Sequence, residues 1–211
     1  MPTEYRHRLV TLTGADFLLP PVARRLCLLT GQSCFRSSLL PPDKRDFLAA
    51  IAPRGVEIVP TGFPWHRQFA IPAPAPSLLS ASLRNARQWI WARRDARYRA
   101  ALTAILGRLL AQTREQLLLV TGSCGIDLLA AVLPDLPPGP PIYLVALGPA
   151  GRVPVADRLA DWVVLQGRRD GWSRLLWRGP VQGRPDCGHL DYYCNADSIA
   201  RVRAFLAAVP A

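Results

Sequence analysis

Three residues in the second half of the chain have the types and the order needed to activate a hydroxyl group. Ser123 lies in Leu117-Leu-Leu-Val-Thr-Gly-Ser-Cys-Gly-Ile-Asp-Leu-Leu-Ala-Ala131, an apolar run that turns within a few residues into an amphipathic stretch. Asp170 follows the apolar run Asp161-Trp-Val-Val-Leu165, and His189 sits in Asp186-Cys-Gly-His-Leu-Asp-Tyr-Tyr-Cys-Asn195. A serine hydroxyl is hardly ionised at neutral pH, so it attacks only when a base takes its proton. An imidazole, with an unperturbed pKa of about 6.5, suits that exchange. A carboxylate hydrogen-bonded to the other ring nitrogen holds the imidazole in the required tautomer.

The turn at residues 121–126 admits two registers. With Ser123 as nucleophile the flanking positions are Thr121 and Gly125; with Cys124 they are Gly122 and Ile126. A nucleophile on a tight strand-to-helix turn needs small residues two before and two after it, so that strand and helix can approach closely. The β-branched Ile126 is the worse departure, which favours Ser123 and leaves Cys124 as the alternative nucleophile.

The elements that must position these residues are read from hydrophobic periodicity. Short apolar runs that stop at Gly or Pro mark strands at Arg25–Leu29, Leu117–Val120, Ile142–Leu147 and Trp162–Leu165, with two further candidates at Leu9–Leu12 and Val56–Val59. Helices are expected at Pro42–Ile51, over about Ser77–Thr113, at Ile126–Leu133 and at Ala196–Val209. Alternation of strand and helix implies a mostly parallel, doubly wound sheet in an α/β fold, with helices on both faces and right-handed crossovers. Ligands in such sheets bind beyond the carboxyl ends of the strands, where Ser123 and Asp170 fall.

The order nucleophile, acid, histidine resembles that of the α/β-hydrolase superfamily. The resemblance runs over nearly the whole chain, from a strand ending in Leu-Leu-Thr-Gly31, through the turn near Ser123 and Gly-Arg-Arg-Asp170, to Cys-Gly-His189 before a terminal helix. It implies that Ser123 attacks a carbonyl, that His189 accepts and returns the proton, and that Asp170 orients the imidazole. It implies oxyanion donors at the backbone N–H of Cys124 and of Gln32, although Thr30-Gly31 stands where a His-Gly pair is common. Lid domains in this superfamily usually follow the strand here read as Ile142–Leu147. The segment Gly148–Asp161 is too short for one, so the resemblance implies a cap-free, open site, unless the segment with Trp89 and Trp91 folds over it. His7 and His66 are expected to be structural or surface residues, and Asp186 and Asp191 lie too near His189 in sequence to be the first choice of acid.

The 211 residues, half of them hydrophobic, suit one domain over residues 1–211. The charged start and the lack of an apolar run of roughly 18 residues point to a soluble, cytoplasmic protein. Five cysteines, an odd number with no CxxC pair, suggest neither a disulfide framework nor a thiolate metal site, and no cofactor is indicated. The net charge of +11 favours anionic partners.

Much of that charge lies in Ala73–Gln112, a long basic helical segment with two apolar stripes, Leu79, Leu83, Ala86 and Ile90, then Tyr98, Leu102, Ile105 and Leu109, which predict two helices or a kink. Arg84, Arg87, Arg94 and Arg97 are candidate anion-binding residues. An open site on a cationic body suits an acyl thioester or ester presented by an acidic acyl carrier protein or coenzyme A, so the expected activity is that of a thioesterase, esterase or acyl-transfer enzyme. A non-catalytic binding partner with the same fold is the main rival. Nucleic-acid binding is the remote one, because no nucleic-acid module accompanies the arginines.

Overall fold

The computed structural model describes residues 2–210. Helix α1 (Pro2–Val10) precedes strand β1 (Val22–Thr30), helix α2 (Pro42–Ile51) and the short strand β2 (Glu57–Ile58). Then come α3 (Leu78–Arg94), α4 (Ala96–Ala111), β3 (Thr113–Gly122), α5 (Gly125–Val132), β4 (Ile142–Leu147), β5 (Asp161–Leu165), α6 (Gly171–Leu176) and α7 (Ala196–Ala207). The strands form one sheet in the order β2-β1-β3-β4-β5, and every neighbouring pair is parallel. The chain winds outward from β1 to β2, crosses back to β3, and proceeds to the other edge. The strand order therefore reverses between β1 and β3, where ligands bind in open α/β sheets.

Alternation along the strands feeds two cores. Cys27, Leu29, Leu117, Leu119, Leu144 and Ala146 pack with residues of α1, α4 and α5, whereas Leu26, Leu28, Leu118, Val120, Val145 and Leu147 pack with Phe47, Leu48 and Ile51 of α2 and Val202 and Leu206 of α7. Successive side chains of a strand point to opposite faces, so a strand buried on both sides must be apolar at every position. That is the pattern from Leu26 to Leu29 and from Leu117 to Val120.

One expectation changes, and another, open between two helices and a kink, resolves to two helices. Leu9–Leu12 is not a strand: Leu9 lies in the last turn of α1, and Tyr5 and Leu9, one helical turn apart, are buried together in the core that includes Leu102 and Leu106 of α4. The long basic segment is two helices that meet at Asp95, whose Oδ1 accepts the N–H groups of Arg97 and Tyr98 as the N-cap of α4. The α4 stripe of Tyr98, Leu102, Ile105 and Leu109 is buried, but in α3 Leu79, Leu83, Ala86 and Ile90 face outward and Gln88 and Ala92 are the buried residues. Among the described residues, no helix is long and apolar enough to cross a membrane.

Candidate active site

β3 delivers Ser123 to the carboxyl edge of the sheet and α5 leaves from it two residues later. The Ser123 backbone has a φ of 51°, a left-handed conformation that a residue with a Cβ adopts at a cost of about 1–3 kcal/mol. Its N–H donates to Leu147 O at 3.1 Å and its carbonyl accepts the N–H of Ala150 at 3.1 Å, so β4 and the loop after it hold the strained turn. Glycine is required at 125 by close approach: a Cβ there would lie 2.1 Å from Leu29 O of β1. Two residues before Ser123, Thr121 is tolerated because its buried hydroxyl donates to Val145 O at 3.3 Å.

Ser123, His189 and Asp170 lie in one hydrogen-bonded line. His189 Nε2 is 2.9 Å from Ser123 Oγ, and His189 Nδ1 is 2.9 Å from each Asp170 carboxylate oxygen. Asp170 is fully buried. It is the N-cap of α6, with Oδ1 accepting the Ser173 N–H at 2.9 Å, while Oδ2 accepts the Tyr192 hydroxyl at 2.7 Å. Burial alone would raise the carboxyl's pKa, but the hydrogen bonds from His189, the Ser173 N–H and Tyr192 outweigh it and hold Asp170 below the usual carboxylate value. With Asp170 ionised, Nδ1 carries the ring proton and Nε2 presents its lone pair to Ser123.

Tyr192 was not singled out in the sequence. Its hydroxyl also accepts the Gly167 N–H at 2.6 Å, tying the loop that carries the acid to the loop that carries the histidine. Burial, first of all, pushes its phenol pKa far up, which keeps it a donor. Gly148, at φ +52°, makes room for this pair: a Cβ there would lie 2.6 Å from the Tyr192 ring and 2.7 Å from Asp170 Oδ2. A tyrosine three residues after a histidine carries no local signal of such a role.

Other candidates fall elsewhere. The Cys124 thiol is buried beneath Gly31, and burial, above all, pushes it up to about 12, so it stays protonated at neutral pH. Its backbone N–H stands at the start of α5, and among the described residues no main-chain carbonyl accepts it. Asp186 pairs with Arg169, and Asp191 accepts the Gly188 N–H; neither is bonded to His189. His66 is buried, with Nε2 3.3 Å from Thr13 O and Nδ1 accepting the Gln68 N–H, and His7 is exposed.

Gln32 requires a correction. Its N–H donates to Gln88 Oε1 at 3.0 Å, and its carbonyl accepts Gln88 Nε2 at 3.1 Å. Its side chain takes the Tyr5 hydroxyl at 2.6 Å and donates to Ser37 O at 3.2 Å. The N–H expected to stabilise an oxyanion is thus occupied by a buried amide of α3. The sequence could not show this, because the partner lies 56 residues away on a helix whose inward face periodicity alone does not identify. Arg84 also turns inward, donating to Ser33 O at 3.0 Å, whereas Arg87, Arg94 and Arg97 remain exposed.

No protein-family model matches the sequence, and no curated protein matches it. Among solved structures, the chain is similar to the crystal structure of esterase PE8, with a TM-score of 0.51 and 14% identity over 92% of this chain and 96% of that one. TT1662 from Thermus thermophilus follows with a TM-score of 0.46 and 16% identity, covering 90% of each chain. At these identities the likeness to esterase PE8 is one of fold.

Proposed function

We propose that this chain, whose lid-free parallel sheet has the α/β-hydrolase fold, is a serine-type hydrolase or acyl-transfer enzyme acting on an ester or thioester. The observation that carries the reading is the unbroken line from Ser123 Oγ through His189 to Asp170, with both contacts to the imidazole at 2.9 Å. Ser123 Oγ attacks the acyl carbonyl while its proton passes to His189 Nε2. The imidazolium so formed is held at Nδ1 by Asp170. The oxyanion of the tetrahedral intermediate takes a hydrogen bond from the Cys124 N–H at the start of α5, where the helix dipole adds to the attraction. Collapse expels the alcohol or thiol, which receives the proton from His189. Water, or another acceptor, then attacks the acyl-enzyme with His189 as base.

The connection from β4 to β5 spans only residues 148–160, so no inserted domain covers the site from that side. An open site supports a substrate whose acyl group is presented by something larger. The exposed Arg87, Arg94 and Arg97 support an anionic presenter of that acyl group.

The test is turnover of a chromogenic short-chain ester and of an acyl thioester by two variants. Ser123→Ala is expected to lose activity by a factor on the order of 10⁴ or more. Cys124→Ala keeps the backbone donor and is expected to retain a substantial fraction. The reverse pattern would move the nucleophile to Cys124, and no turnover of any ester or thioester by the unaltered protein would favour a non-catalytic binding protein.

A further inference from the structure

Helix α3 is amphipathic in the reverse of the usual sense. Over its first three turns the inward face is polar: Gln88 bridges both backbone groups of Gln32, the Asn85 amide lies 3.3 Å from Ser33 Oγ, and Arg84 donates to Ser33 O; toward its end Trp91 and Ala92 join the core, and Arg93 reaches back to the buried Asp127 of α5 at 2.8 Å. Its outward face is aliphatic, with Leu78 and Leu79 72% and 71% exposed, Leu83 52% and Ile90 44%. Ile71, on the loop leading into the helix, is also exposed. At 100° per residue, Leu79, Leu83, Ala86 and Ile90 form the centre of the outward face, and the exposed Arg87 and Arg94 form one margin. No acidic residue occurs from Ile58 to Arg94.

We infer that this face of α3 docks onto an anionic lipid surface and seats the hydrolase site at the water–lipid boundary. The aliphatic ridge enters the acyl-chain region while Arg87 and Arg94 stay at the level of the phosphates, their stems lying along the apolar boundary. Charge supports the pairing, since the protein carries +11 overall and its helix has cations and no anions beside the ridge. Identical ridges on two copies would bring like charges together.

The docking helix is fastened to the loop beside the nucleophile, because Gln88 holds Gln32 and Asn85 and Arg84 hold Ser33. A surface bound by α3 is therefore bound next to Ser123. That the substrate is then an ester or thioester carried by a lipid rests on the hydrolase reading; the docking itself does not.

The experiment is co-sedimentation with vesicles of phosphatidylcholine alone and of phosphatidylcholine mixed with phosphatidylglycerol. It uses the full chain carrying Ser123→Ala, so that binding is measured apart from hydrolysis, with the unaltered protein beside it. Retention is expected on the anionic vesicles and not on the neutral ones. The double variant Leu79→Ser, Leu83→Ser should weaken it about tenfold or more, as should Arg87→Gln with Arg94→Gln. Thermal unfolding midpoints and turnover of a soluble short-chain ester should be unchanged in the leucine variant. No retention on anionic vesicles overturns the inference, as does retention that the leucine changes leave intact. A dimer in solution that those changes dissociate would overturn it too, as would binding of an acidic carrier protein without any binding of vesicles. Failure of ester turnover with vesicle binding preserved would reject the hydrolase reading and leave the docking surface standing.

Discussion

Helices α3 and α4 are consecutive, of nearly equal length, and each carries four apolar residues at spacings of three and four, yet they present those stripes in opposite directions. In α4, Tyr98, Leu102, Ile105 and Leu109 are buried, while in α3, Leu79, Leu83, Ala86 and Ile90 face solvent. Periodicity reveals that a helix has two faces, and what lies beside the helix decides which is turned inward. α4 lies against the apolar surface of the sheet. α3 lies against the loop after β1 and the start of α5, where unpaired backbone groups and the buried Asp127 require polar partners. Leaving such groups unsatisfied costs about 1–3 kcal/mol each, and Leu79, Leu83 and Ile90, left largely exposed, keep part of their burial energy as a reserve for a partner.

The largest expected effect separates the two stripes by stability. Leu102→Ala, at a fully buried position, should cost about 2–5 kcal/mol through lost transfer energy and a cavity. Leu79→Ala should stay within about 0.5 kcal/mol. Urea unfolding of both variants measures the gap, and equal losses would mean that α3 is packed through its apolar side.

A smaller effect is expected from the polar side of α3. Gln88→Leu keeps the volume but removes both partners of Gln32, the acceptor of its N–H and the donor to its carbonyl. The carbonyl is the less costly of the two to strand, so the loss is at least that of one unsatisfied group, about 1–3 kcal/mol. A neutral result in the same unfolding assay would show that the bridge contributes nothing.

The acid end of the site gives a pH prediction. The folded-state pKa of Asp170 is lowered, so its ionised form is bound more tightly in the folded chain than in the unfolded one. The stabilisation is fully present above the unfolded value of about 4 and is lost as pH falls below it through the folded value. Unfolding followed from neutral pH down to about pH 2 should show a loss that Asp170→Asn largely removes. An identical acid limb in the variant would contradict the assignment.

Much of the positioning architecture was legible from the chain. Strands buried on both faces are apolar throughout and stop at Gly or Pro, which located β1, β3, β4 and β5, and β2 lies within Val56–Val59. Leu9–Leu12 misled because so short a mostly apolar run fits a strand as well as the end of a helix, and Tyr5, a turn earlier, was the missing half of its pattern. α6 has only six residues, too few for a period to show. At the site, the chain order of Ser123, Asp170 and His189 brought those residues forward, since the Ser123 turn and Asp170 each follow an apolar run. Tyr192 and Gln88 stayed hidden because their roles depend on partners 22 and 56 residues away. The same distance in sequence hid the engagement of the Gln32 N–H.

The central claim is that Ser123, and not its neighbour Cys124, is the group His189 activates. Reaction of the folded protein with a serine-directed fluorophosphonate, followed by peptide mapping, tests it most directly. One phosphonylated residue, Ser123, is expected, with labelling abolished in His189→Ala. Labelling at another residue, or none on the folded protein, would contradict it.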